Sequence, residues 1–248
     1  MTDRYFTQTP IDGDRAVLAG PEAHHLIHVK RARQGGRVTL FDGTGDEFPA
    51  RIERIRRSEV ELAVLGRDQV DRELPVEFWL AAALPKGDRQ KWLVEKAVEL
   101  GVARIVPIET NRSVAQPVEQ ALARLRRTVI EASKQCGRNR LMEIDGPQSW
   151  ADFVDATRHA RHRLLAHPTR RTRQTEPSRS GDPLARAGLP NRVLLAVGPE
   201  GGFSSEEYAL ATTAGWQPID LGERILRVET AALVLVAVVI ERLLGPQE

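Results

Sequence analysis

A single stretch, Val193 to Leu244, limits what this chain can fold into. It opens on the apolar run Val193-Leu194-Leu195-Ala196-Val197 and breaks at once into Gly198-Pro199-Glu200-Gly201-Gly202. Ser204-Ser205-Glu206-Glu207 then starts a helical pattern that runs through Ala214. Gln217-Pro218-Ile219-Asp220-Leu221 is a second short run, cut by Gly222, and a long apolar helix follows from Ala231. The order is strand, glycine loop, helix, strand, glycine loop, helix, the alternation of an α/β sheet. In such sheets ligands bind where loops leave the carboxyl ends of the strands. Two such loops so close in sequence point to one ligand site.

The first loop narrows the ligand without naming it. Three glycines around Glu200 leave the backbone free to approach a ligand closely. Its N–H groups, with those opening the next helix, can meet an acceptor or an anion. It is not a P-loop, because no Lys-Ser or Lys-Thr follows the glycines, and Pro199 and the spacing depart from G-x-G-x-x-G. A tight strand-to-helix turn capped by Ser204 or Ser205 would use the same residues, so on this loop alone both readings stand.

Together the two loops are more specific. Gly198-Pro199-Glu200-Gly201-Gly202-Phe203-Ser204, followed by Leu221-Gly222-Glu223-Arg224-Ile225-Leu226-Arg227-Val228-Glu229-Thr230-Ala231, resembles the C-terminal signature of the SPOUT methyltransferases. The match is strongest to the ribosomal RNA uracil-N3 methyltransferases, the RsmE family. Leu84-Pro85-Lys86-Gly87, Glu99-Leu100-Gly101-Val102, Arg112-Ser113 and Gln135 followed by Arg138 extend the resemblance over nearly the whole chain, with Cys136 standing where a small polar residue is usual. The resemblance implies an α/β fold, a SPOUT-type parallel sheet with a C-terminal trefoil knot, preceded by a small PUA-like β-barrel. The knot comes from the resemblance alone, since chains are unknotted by default. The resemblance also implies S-adenosyl-L-methionine as cofactor, held by Leu165, Ala166 and His167 at one strand end. Gly198, Pro199, Glu200, Gly201 and Gly202 would hold it from the first loop, and Leu221, Gly222, Ile225, Leu226 and Arg227 from the second.

The remainder of the chain agrees with a globular protein of two parts. Lys and Arg number 36 against 34 Asp and Glu, so bulk charge does not announce a nucleic-acid binder and clustering must carry that argument. Cys136 is the single cysteine, which excludes an internal disulfide and any cysteine-built metal site. The first residues lack the apolar core of a signal peptide, and the apolar run Ala231 to Ile240 is too short to cross a bilayer. A soluble, cytoplasmic protein without membrane or metal is the expectation.

Residues 1–70 read as small and β-rich. Arg15 to Leu18 and Arg37 to Phe41 are short strand patterns, and Glu47 to Ile55 with Glu59 to Leu65 form a hairpin pair around Arg56-Arg57-Ser58. Pro21 to Arg31 is helical. Many short strands with turns fit a small barrel, for which the resemblance implies RNA binding. Arg4, Lys30, Arg31 and Arg33 become candidate phosphate contacts, with Arg37, Arg51, Arg54, Arg56 and Arg57 beside them. Lys86 and Arg138 join them from further along the chain. Such contacts supply affinity and position rather than sequence reading. A solvated charged face would look the same by charge alone. His24, His25 and His28 fall on different helix faces and lack partner ligands, so a zinc site is not expected.

Asp68 to Pro75 reads as a linker, and residues 71–248 as the methyltransferase domain. Val76 to Leu84 is a buried strand, Asp88 the N-cap of a helix ending at Gly101, Ile105 to Ile108 the next strand, and Pro117 to Gln135 a helix. Arg163 to Pro168 is a strand running into a loop. Residues 169–190 form a flexible insertion with almost no apolar residues, whose Arg170, Arg171, Arg173 and Arg179 could touch RNA.

The function implied is methylation of N3 of a specific uridine in 16S ribosomal RNA, free or within the assembled small subunit. Uridine N3 must lose a proton, which makes Glu200 the candidate base and Arg227 and Arg112 candidate stabilisers of the anion. A methyltransferase of the same fold acting on another RNA remains open, as do a non-catalytic RNA-binding or ribosome assembly factor and an α/β enzyme binding a nucleotide phosphate at Gly198 to Gly202. The intact glycines of both loops argue against a decayed pocket. Ala231 to Ile240 is apolar around every helix face and must be covered on all sides. A homodimer with Val234, Val238 and Glu241 near its interface is therefore expected.

Overall fold

A computed structural model describes residues 3–113, 119–168 and 189–245. The chain divides into two compact units, Met1–Glu73 with Ile130–Leu141, and Leu74–Val129 with Met142–Glu248. The first unit thus takes back a segment from far along the chain. The expected insertion, apart from Leu189 and Pro190, lies outside the described residues, as does the expected helix start at Pro117.

The first unit contains β1 (Arg4–Phe6), β2 (Arg15–Ala19), α1 (Gly20–His24), β3 (Arg37–Phe41), β4 (Asp46–Ile55), β5 (Glu59–Val64) and β6 (Asp68–Gln69). They form a six-stranded sheet in the order β1-β3-β4-β5-β2, with β6 on β4. The β4–β5 hairpin was legible from alternation, and its inward residues Phe48, Ala50, Ile52, Val60 and Leu62 meet Leu18, Leu26 and Leu40 in one core. β6 falls inside the expected linker, a correction: Asp68 and Gln69 pair with Glu47 and Asp46.

α1 runs into a π-helical turn, His25–Val29. Arg31 ends it in a left-handed conformation, φ 50°, while the Ala32 N–H donates to the Leu26 carbonyl at 3.1 Å. This is the position a glycine usually takes after a helix. The histidines need one correction. The rings of His24 and His28 lie 4.7 Å apart on the same side of the helix, as a spacing of four residues requires. No cluster able to hold a metal occurs among the described residues.

The second unit contains β7 (Glu77–Ala82), α2 (Asp88–Glu99), β8 (Arg104–Glu109), α3 (Glu119–Cys136), β9 (Glu143–Ile144), β10 (Gln148–Ser149), α4 (Trp150–Ala156), β11 (Arg163–Ala166), β12 (Arg192–Val197), α5 (Ser205–Thr213), β13 (Gln217–Ile219) and α6 (Val228–Leu244). The last turns of α3 belong to the first unit. The sheet has seven strands in the order β10-β8-β7-β12-β11-β13, with β9 on β8. All its pairs are parallel.

Parallel strands are covered on both faces and read as continuous apolar runs, which is how β7 and β12 look in sequence. Trp150, Phe153, Phe203 and Trp216 fill a core on this sheet, their rings 4.7 to 6.0 Å apart. On α6, Val228, Ala232, Leu235, Val236, Val239 and Leu243 are buried. Leu233, Val234 and Val238 are only half-buried and Ala237 is exposed. One face of the helix therefore remains partly open in the single chain. Asp88 opens α2 as its first residue rather than capping it; the cap position is Gly87, φ 66°. No helix among the described residues is long and apolar enough to cross a membrane.

Candidate active site

Strand order fixes where this site lies. From β7 the chain moves to β8 on one side, while β12 inserts on the other side, between β7 and β11. Such a reversal opens a crevice at the carboxyl ends of the strands. The loops leaving β11, β12 and β13 meet there around a cleft of about 550 Å³, within the roughly 300–1,000 Å³ range of sites for drug-sized ligands.

Each loop has a local reason for its shape. After β12, the Gly202 N–H donates to the Pro199 carbonyl at 2.8 Å, closing a turn. Gly198 sits where this turn folds on itself. A Cβ there would lie 3.2 Å from the Phe203 nitrogen and 3.3 Å from the Gly202 carbonyl carbon. The turn ends in a capping box: Ser204 Oγ accepts from the Glu207 N–H at 3.2 Å, and the Ser204 N–H donates to Glu207 Oε2 at 2.7 Å. Glu207 is buried and its other oxygen accepts from the Asn111 N–H at 2.7 Å. The next residue, Arg112, donates to the Gly201 carbonyl at 2.6 Å. The polar loop after β8 therefore clamps the glycine loop from outside.

After β13, the Gly222 N–H donates to Asp220 Oδ1 at 2.9 Å. Gly222 has φ 103°, a backbone shape that a Cβ opposes. The following residues, Glu223 to Leu226, line the cleft, and Ile225 is 94% exposed. An apolar side chain so open, beside a cleft it helps to line, suits contact with a bound molecule. After β11, His167 stacks on Tyr208 with ring centroids 4.0 Å apart. Burial lowers the His167 pKa below its usual 6.5, which keeps the ring neutral.

The residues singled out from the sequence sort into distinct places. Ala166, His167, Gly198, Pro199, Glu200, Gly201, Gly202, Leu221, Gly222, Ile225 and Leu226 all line the cleft. Leu165 is buried one residue behind it, in the core. Arg227 is exposed at the N-cap of α6, and its side chain makes no capping bond. Arg112 acts on the loop backbone rather than standing free. Glu200 is exposed and pairs with Arg89 at 3.2 Å.

The candidate RNA contacts also divide. Arg31 and Arg33 are exposed, and Lys30 pairs with Asp3 at 2.8 Å on the surface. Lys86 is exposed. Arg4 and Arg138 are largely enclosed within the first unit. Arg4 pairs with Glu47 and donates to Asn139 Oδ1 at 2.6 Å. Arg138 is 4% exposed and forks onto Glu73, with Nε donating at 3.0 Å. Both guanidinium groups are committed to holding Ile130–Leu141 in that unit.

Comparison with known proteins agrees with this geometry. A model described as an RNA methyltransferase domain matches residues 72–240, and one described as an RNA methyltransferase PUA domain matches residues 18–65. The ribosomal RNA small subunit methyltransferase E of Synechocystis sp. is 32% identical over 221 residues, which cover 89% of this chain and 71% of the relative. That of Mycobacterium bovis is 31% identical over 243 residues, covering 95% and 89%. This chain belongs to the ribosomal RNA small subunit methyltransferase E family. A crystal structure of the Neisseria gonorrhoeae member bound to S-adenosyl methionine superposes with a TM-score of 0.85 at 30% identity, covering 98% of each chain. A putative methyltransferase from Legionella pneumophila, in complex with the same cofactor, gives 0.84 at 33% identity, again with 98% of each chain covered.

Set beside the family signature, sequence reasoning missed several parts of the site. Asp220, Glu223, Arg224, Val228 and Ala231 also line the cleft. All five fall in or beside the second quoted motif, so its full length was the available signal. Glu207 was missed although Ser204-x-x-Glu207 is a capping-box pattern. Arg89 had no signal, since its partner Glu200 stands 111 residues away.

Proposed function

We propose that this protein is an S-adenosylmethionine-dependent methyltransferase acting on N3 of a uridine in small-subunit ribosomal RNA. The observation that carries the reading is the cleft itself: two glycine loops and one strand end converge on a single site at a topological switch point. The lining fits the cofactor. Val197, Leu221, Leu226, Val228 and Ala231 offer apolar walls, while the turns bring backbone close. A Cβ at Gly202 or Gly222 would meet no protein atom within 4 Å and would stand in open space. When bound, the cofactor supplies a methyl group already activated on a sulfonium.

The chain's own residues do the rest by positioning and charge. N3 gains the methyl carbon, the S–C bond breaks, and the N3 proton leaves to a base. Glu200, exposed on the lip of the cleft, is the base in this reading. Arg112 shapes the loop through the Gly201 carbonyl. Arg227, exposed at the start of α6, is the other arginine of this reading and remains open to solvent. Leu165 supports the strand end from behind. Arg31 and Arg33, exposed and without a side-chain partner among the described residues, are the favoured phosphate contacts of the first unit. Lys30 can exchange Asp3 for a phosphate. Arg4 and Arg138 serve more naturally as scaffolding.

Three finer features belong to the same reading. The trefoil knot is supported by the return of α6 to β7 and β12 after the chain has run out to β13 at the sheet's edge. A homodimer is supported by the half-open apolar face of α6, with Val234 and Val238 half-buried and Glu241 exposed. A cytoplasmic location follows from the substrate. Mass-spectrometric mapping of methylated uridine in ribosomal RNA, from strains with and without the gene, tests the activity. Calorimetry with S-adenosylmethionine tests the cofactor. Absence of binding and an unchanged uridine map would overturn the reading. Light scattering tests the dimer, and a mass near 27.6 kDa for active enzyme would refute it.

A further inference from the structure

A second cavity, of about 220 Å³, adjoins the cofactor cleft and shares Pro199 and Glu200 with it. Its apolar floor is Ala83, Leu84 and Pro85, from the end of β7 and the loop that follows. Its charged groups are Lys86, Arg89 and Glu200. The volume falls below the roughly 300–1,000 Å³ of sites for drug-sized ligands and suits a single heteroaromatic ring. We propose that this cavity seats the extruded target uracil, with Lys86 and Arg89 as the cations that meet its two carbonyl oxygens and Glu200 facing its N3. The proposal rests on the methyltransferase reading and deepens it.

The chemistry of the lining selects that base. A base must leave the stack before chemistry can reach its ring, and flipped bases are read on their Watson–Crick edge over apolar surfaces. The uracil edge presents acceptor, donor, acceptor. Two cations around one carboxylate present the complement. Cytosine presents an amino group and a bare N3, which would set a donor against a cation and a lone pair against Glu200. When N3 gives its proton to Glu200, negative charge spreads onto the two oxygens, where Lys86 and Arg89 stand. Fixed charges aimed at developing charge are the largest catalytic term in many enzymes. Pro199 and Glu200 line both cavities, so a base seated here and a cofactor in the cleft meet at these two residues.

The two cations are held differently. Lys86 has no side-chain partner among the described residues, so its ammonium is available. Arg89 stands between two carboxylates, 3.2 Å from Glu200 Oε1 and 3.7 Å from Glu229 Oε2. Glu229, in the first turn of α6, is 5% exposed, and this oxygen has no hydrogen-bond partner. Arg89 is thereby tethered to the helix that also lines the cofactor cleft through Val228 and Ala231.

Lys86→Gln and Arg89→Gln test the proposal, with small ribosomal subunits from a deletion strain as substrate. Lys86 is exposed, so its variant keeps the fold even if the Arg89 variant is weakened by the buried Glu229. We expect S-adenosylmethionine affinity by calorimetry to stay within about twofold while kcat falls by about 10²-fold. Wild-type kcat in both variants would overturn the assignment, as would loss of cofactor affinity in both. If the wild type itself binds no cofactor and methylates nothing, the methyltransferase reading has failed, and this proposal with it.

Discussion

The two ends of the parallel sheet treat charge in opposite ways. At the amino end, the arginines that open β8 and β12 are both paired. Arg192, the first residue of β12, forks onto Glu77 at 2.7 and 2.9 Å and lies 4.0 Å above the Trp79 ring. Arg104, the first residue of β8, lies 4.4 Å from the same ring and pairs with Asp145 at 3.1 Å and with Glu143. At the carboxyl end, Lys86, Glu223, Arg224 and Arg227 have no side-chain partner among the described residues. Charges paired with each other and stacked on an aromatic ring act inside the fold. Charges left in open water beside a cleft keep their capacity for a ligand. The contrast separates scaffold from site without reference to any relative.

The largest expected effect breaks the carboxyl end alone. Gly198→Val places a branched side chain against the Phe203 nitrogen and the Gly202 carbonyl carbon, and must open the turn. Backbone, unlike the tip of a long side chain, cannot step aside cheaply. S-adenosylmethionine affinity should fall by about 10²-fold or more, since the loop must approach the ligand closely. Thermal unfolding should drop by only a few degrees, matching an overpacking cost of about 1–3 kcal/mol. Calorimetry beside calorimetric melting checks both, and unchanged affinity would remove this loop from the site.

A smaller effect should appear at the amino end, with the opposite signature. Arg192→Ala removes one ion pair and one cation–π contact, together about 1 kcal/mol at a partly exposed position. Stability in urea should fall by that amount while cofactor affinity and kcat stay at wild-type values. A loss of activity at unchanged stability would mean that the two ends are not separate in function.

How much of this was readable in advance follows from the range of each interaction. The longer strands of the second unit, β7, β8, β11 and β12, and the two glycine loops are local patterns, and they stand where the sequence puts them. So does Ser204 as a cap. The short β9 and β10 left no pattern, because two residues carry no period. The return of Ile130–Leu141 to the first unit was not legible, since α3 is one continuous helix and nothing within it marks where its partners change. Arg138 reads as a surface cation in sequence. Its burial depends on Glu73, which is 65 residues away. Charge in a sequence reports how many cations exist, and only the fold reports which are already paired. Arg89 is the converse case: it reads as an ordinary helix residue, and the fold brings it to Glu200.

The smallest expected effect concerns pH at the amino end. Burial alone would raise the Glu77 carboxyl, but the bonds from Trp79 Nε1 at 2.7 Å and from Arg192, with the charges of Arg192 and Arg104, outweigh it. Its pKa in the folded protein therefore lies below its ordinary 4.5. A carboxyl depressed by folding stabilises the fold above its unfolded pKa, and that contribution is lost as the pH falls through the folded value. The Glu77 side chain is 39% exposed, so water screens the pair and the effect is modest. Wild type and Glu77→Gln should therefore differ in urea midpoint at pH 7, and the gap should close as the pH falls through the folded value, below 4.5. Cofactor affinity at pH 7 should be the same in both. A gap that persists unchanged into acid would show that Glu77 acts through its packing and its neutral hydrogen bonds, and the amino end would then be held by shape rather than by paired charge.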